Sequence, residues 1–186
     1  MDLDLSELSD PFRGMLAQLE KVSSRPEISL SQIPSPKGIA PQALAIAAEI
    51  DHEIASDHGV SRLVFCWDPS SPEGWNSEFR VIGYAKSPIE VEMAKDEYLS
   101  ALPWEWLKDS LTAAGAKFGS DAGTTTTVLS TGHGSLIAQP QHAELEIRAS
   151  WAPLDFDLAP HLAGWIELLA LISGLPPAES KVVRLG

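Results

Sequence analysis

The chain has 186 residues, 44% of them hydrophobic and 21% charged, an ordinary globular composition that excludes disordered and collagen-like classes. It carries 13 Lys+Arg against 26 Asp+Glu, a formal net charge of −13, so nucleic-acid backbones and anionic membrane surfaces would be repelled. The longest apolar run, Leu162 to Ile172, is interrupted by Glu167 and falls short of the roughly 18 residues that a membrane span needs. Cys66 is the only cysteine, which rules out an internal disulfide and fits a reducing, cytoplasmic setting. The N-terminus bears Asp2, Asp4 and Glu7 and lacks the basic-then-apolar pattern of a signal peptide. The length predicts one domain over residues 1–186, with 1–9 and 178–186 as flexible tails.

Asp10-Pro11 suits a helix start, and Phe12, Met15, Leu16, Leu19 and Val22 form one apolar stripe, predicting a helix over 11–23. Residues 24–42, rich in proline and only briefly alternating at Ile28 and Leu30, read as an irregular arm. Segment 43–54 satisfies both periods. Its alanines favour a helix, but the strands that follow need an antiparallel partner, so a strand is expected. Leu63 to Trp67 is a short continuous apolar run, read as a buried strand, and Phe79 to Ala85 is the next. Pro103 to Ala114 predicts a helix with Gly115 as its C-terminal stop. The β-branched run Thr124 to Thr131 predicts a strand. Residues 145–151 alternate Leu145, Ile147, Ala149 and Trp151 with polar neighbours, the clearest half-buried strand in the chain. Leu158 to Ser173 predicts a broadly apolar helix ended by Gly174.

The order α-βββ-α-ββ-α implies an α+β sandwich of two layers, with an antiparallel sheet of about five strands and helices mainly on one face. Two segments, 79–115 and 145–174, share a strand–proline–tryptophan helix–glycine grammar that would also fit an old duplication.

Few residues point to chemistry. Asp51-His52-Glu53 and Asp57-His58 gather imidazoles and carboxylates, but Ser56 stands where the H-E-x-x-H pattern requires its second histidine, so no metal is expected. Gly132-His133-Gly134-Ser135 is a flexible polar stretch. It lacks the third glycine of a dinucleotide fingerprint, and a hairpin turn is its simpler reading. His133 stays a candidate ligand contact, with no third group to make a catalytic set. Arg148 is the only basic residue between Phe118 and Ser180. It either clamps an external carboxylate or phosphate, or pairs with Glu144, Glu146, Asp155 or Asp157. The chain has 6 tryptophans against 2 tyrosines and 5 phenylalanines. Trp104 and Trp106 lie about 200° apart on their helix, so one belongs to the core and the other is free for a partner.

Pro11-Phe12-Arg13, Arg25-Pro26-Glu27, Phe79-Arg80-Val81, Trp104-Glu105-Trp106-Leu107, the run from Glu146 to Pro153, and Gly174-Leu175-Pro176-Pro177 occur in order along nearly the whole chain. In these segments the chain resembles an actinobacterial family known as domain of unknown function 3000. The resemblance implies a source in that bacterial group and a single-domain protein. It brings no assigned activity and no catalytic residues.

The element order is similar to that of the small acidic chaperones of type III secretion, with the 24–42 arm as a departure. Acidity, the surplus of tryptophan on helices, this element order and the lack of a catalytic motif predict a non-catalytic protein-binding module acting through a sheet or helix surface, as a homodimer, without cofactor. The competing reading is a ligand binder or enzyme with a pocket lined by Trp104, Trp106 and Trp151 and with Arg148 at its mouth.

Overall fold

A computed structural model describes residues 1–51 and 59–176. Helix α1 (Asp10–Leu16) begins with Pro11 in its first turn and tightens into a 3-10 turn, Ala17–Lys21, so the expected helix is present in two gauges. Then come β1 (Ile28–Ile33), β2 (Gln42–Ile50), β3 (Val60–Trp67) and β4 (Phe79–Ile89). Helix α2 (Leu102–Ala113) precedes a long hairpin of β5 (Phe118–Ser130) and β6 (His142–Pro153), and α3 (Ala159–Ile172) closes the described fold.

The strands form one antiparallel sheet in the order β1-β2-β3-β4-β6-β5, with the helices on one face. The α+β expectation holds, with six strands instead of five. The extra strand is β1, inside the stretch read as an irregular arm. It lies at the sheet edge, half exposed, and its alternation is too short to stand out between prolines. The ambiguous segment is a strand. Its alanines resemble helix composition because β2 is covered on both faces: Leu44, Ile46, Ala48 and Ile50 face the helices, while Ala45 and Ala47 are buried from the other side. Pairing with both β1 and β3 overrides the alanine preference for helix.

The main core lies between sheet and helices. Leu145, Ile147, Ala149 and Trp151 all point into it, as their alternation requires. Trp165 of α3 packs against β4 at Gly83, where an added Cβ would collide with the ring, and its indole N–H donates to Ser61 Oγ at 3.2 Å. Both long helices end on left-handed glycines. After α2, Gly115 lets Ala116 N–H return to Leu111 C=O at 2.9 Å; after α3, Gly174 lets Leu175 N–H return to Ala170 C=O at 3.0 Å. Residues 1–9, expected as a tail, lay Met1, Leu3, Leu5 and Leu8 against the core.

Candidate functional site

Every second residue of a strand faces away from the helix layer. One end of that second face has its own small core: Ala45, Val64 and Cys66 are buried beneath Ile39, Ala40 and Trp75 of the neighbouring loops. Burial pushes the Cys66 thiol up to about 12, so it does not act as a nucleophile at neutral pH.

The rest of the face is polar and open. The register aligns Ala47, Arg62, Tyr84, Arg148 and Thr124 in one row across five strands. The next row along contains Glu49, Val60, Lys86, Glu146 and Thr126. Glu146 joins the two rows. It accepts from Arg148 Nε at 2.7 Å with one oxygen and from the Tyr84 hydroxyl at 3.0 Å with the other. Arg148 in turn lies over the Tyr84 ring, its Cζ 5.1 Å from the centroid. The Arg148 hydrogen bond holds the Glu146 carboxyl below the usual range. Burial, then the Glu146 bond, raises the Tyr84 hydroxyl, which therefore stays protonated. Beside them Lys86 pairs with Glu144 at 2.6 Å, and His142 reaches the same carboxylate oxygen at 3.1 Å.

Of the two readings of Arg148, the internal pair is present, with Glu146 among the four carboxylates considered. The tryptophan-lined pocket opening at Arg148 does not form. Trp151 alternates to the opposite face of β6 and is fully buried. Trp104 is half-buried below β5, filling the space at Gly123 where a Cβ would come within 2.5 Å. Trp106, also half-buried, lines a separate groove with Pro88, Met93, Leu145 and Leu171. The two helix tryptophans do face different ways, but neither is wholly core nor free. His133 is exposed in the β5–β6 connection, about 20 Å along β6 from Arg148 at the usual strand rise. The histidine and carboxylate cluster at 52–58 lies outside the described residues.

The sequence reading missed Arg62 and Tyr84. Arg62 is the single polar residue set between Ser61 and an apolar run, and its link to Arg148 exists only through strand pairing. Arg80 was missed as well. Largely buried on the second face, it donates to Ser120 C=O at 2.8 Å and Ser150 Oγ at 2.8 Å, clasping the bulge in β5 between Gly119 and Ala122.

No curated protein and no solved structure matches the chain. The model of a family described as protein of unknown function, DUF3000, matches residues 8–183. That match covers α1 through α3 and both segments that frame the open face, and on it the chain belongs to the DUF3000 family.

Proposed function

We propose that the protein is a non-catalytic binding module that dimerises through β5 and holds a protein partner on its open sheet face. The observation that carries this is the β5 edge. Strand β5 is 13 residues long, pairs among the described residues only with β6, and is largely exposed from Ser120 to Ser130. It has no lysine, no proline and Asp121 as its single charge, and its one guard, the bulge between Gly119 and Ala122, lies at its start and leaves the run from Ala122 to Ser130 in regular register. The opposite edge differs, since the Gln32 side chain of β1 exchanges hydrogen bonds with the backbone of Asp4 in the N-terminal segment.

A second copy is the occupant that fits. A two-fold axis near Thr125 would pair threonine with threonine and bring no like charges opposite each other. In a chain of net charge −13 such a neutral seam is what self-association requires. Apolar surface lies alongside it. Ser100 C=O accepts from Thr125 Oγ1, and Tyr98 and Leu102, on either side of Ser100, are exposed. The axis would stand normal to the sheet, so both open faces would lie on the same side of one continuous sheet. The acidity and the single buried cysteine suit a cytoplasmic, single-domain protein working in this way.

Light scattering on the full chain tests the dimer, together with the double variant Thr126→Lys/Val128→Lys. Both lysines would face glutamates of β6, Glu146 and Glu144, so the fold is expected to persist with an unchanged melting temperature. They also lower the net negative charge, so loss of the dimer could not come from general repulsion. The expected result is a wild-type dimer with slow amide exchange over 122–129, and a monomeric variant. A wild-type monomer at the highest attainable concentration, or a dimer that survives both lysines, would overturn the proposal.

A further inference from the structure

A second feature of the open face is independent of dimerisation. Arg62, Tyr84 and Arg148 lie side by side on three adjacent strands, and with Glu49, Val60 and Ser61 they line a cavity of about 550 Å3. That volume falls in the range of small-molecule sites.

The arginines in it differ from the others among the described residues. Arg13 and Arg25 are held by carboxylates and backbone carbonyls, and Arg80 by Ser120 and Ser150. Arg62 makes no side-chain hydrogen bond or ion pair among the described residues, although carboxylates outnumber cations two to one in the chain. Arg148 uses its Nε on Glu146, and its two terminal nitrogens make no hydrogen bond among the described residues. Glu146 and the Tyr84 ring thus fix the plane of the Arg148 guanidinium while leaving its outer fork open. A guanidinium oriented in advance, facing a second unpaired one across a tyrosine, matches the two-pronged geometry of an oxyanion. Glu49 in the wall limits the tolerated charge and favours a ligand whose anionic group sits on the Arg148 side.

We propose that this cavity binds the oxyanion group, phosphate or carboxylate, of a small ligand, with Arg62 and Arg148 as the two clamps and Tyr84 as the floor. Both chemistries present paired oxygens to a guanidinium, and the test separates them. The full-length protein is titrated with pyrophosphate and, separately, with citrate, followed by the backbone amide NMR shifts of β3, β4 and β6. Saturable binding of at least one probe is expected, centred on Arg62, Tyr84 and Arg148. It should weaken at least tenfold in Arg62→Ala and in Arg148→Ala, and stay unchanged in Lys95→Ala, whose ammonium pairs with Glu92 outside the cavity. Both arginines are exposed, so the variants are expected to fold, and their amide spectra report this directly. Saturation by pyrophosphate alone assigns a phosphate ligand, and by citrate alone a carboxylate. No saturable binding of either probe, binding that survives both arginine substitutions, or equal loss in Lys95→Ala would overturn the proposal. The titration reads the site and light scattering on the same wild-type samples reads the dimer, so the two fail or stand separately.

Discussion

At the scale of single residues, the most consequential side chain outside the open face is His161. It is fully buried on α3, and its Nδ1 accepts from the Trp151 indole N–H at 2.9 Å. The ring is therefore neutral with its proton on Nε2, an atom without a hydrogen-bond partner among the described residues. Burial pushes its pKa down to about 4, against an ordinary value near 6.5. Between those values the unfolded chain takes up a proton that the folded chain refuses. Stability is therefore complete above about pH 6.5 and falls as the pH drops towards 4, by about 3 kcal/mol in all. Urea denaturation between pH 7 and 4, compared with His161→Gln, checks this. The glutamine carbonyl can still accept from Trp151, and the variant should show a correspondingly shallower loss. Equal pH slopes in the two proteins would mean that His161 does not titrate as the burial requires.

At the scale of elements, the β4–β6–β5 half of the sheet is organised around the bulge in β5. The irregular residues there include Ser120 at φ 50°, a left-handed conformation that non-glycine residues adopt at a cost. Arg80 from β4 reaches across β6 to hold it, and Asn76 donates to Ser120 Oγ at 3.1 Å. Replacing Arg80 with methionine keeps most of the apolar stem but strands the Ser120 carbonyl and the Ser150 hydroxyl. Ser120 is exposed and Ser150 half-buried, so water can take up part of what is lost, and a loss of about 0.5–1.5 kcal/mol is expected, the net worth of a typical hydrogen bond. Chemical denaturation measures it, and faster amide exchange around residues 118–123 would locate the damage at the bulge. A stability equal to wild type would show that the β5 ladder carries the bulge unaided. In the sequence, Arg80 reads as an ordinary polar alternation in a strand. Nothing in its neighbours signals a bulge forty residues further on.

At the scale of the whole molecule, two associations of opposite electrostatic sign are expected. Bringing two chains of net charge −13 together is opposed by long-range repulsion, even across a neutral seam. Salt screens such repulsion over a Debye length that shrinks from about 10 Å at 0.1 M to about 3 Å at 1 M. Raising the ionic strength should therefore tighten the β5 dimer while weakening the binding of an oxyanion to Arg62 and Arg148. Sedimentation equilibrium at low and high salt reads the first, and the NMR titration repeated at both reads the second. A dimer that loosens with salt would point to an interface held by charge pairs, for which the β5 edge offers only Asp121.

Much of the architecture is legible in local patterns, because burial on one face imposes a period on any strand or helix. The alternation through 145–151, the apolar arc of 158–173 and the glycines at 115 and 174 each report a local physical requirement, and each element stands where its pattern puts it. Pattern fails where burial has two sources or hardly any. Strand β2 is covered on both faces and so resembles a helix in composition, while β1 at the edge is too exposed to leave a period. The open face was legible only in part. Arg148 was distinguishable as a lone cation among carboxylates, and its side of the strand followed from the alternation. Its company did not follow. Arg62, Tyr84 and Arg148 are neighbours because β3, β4 and β6 pair in one register, and the tryptophans expected beside Arg148 are held on the other side of the sheet. Local periodicity settles which way a side chain points. Which residues meet there depends on strand order and register, set by contacts between segments tens of residues apart.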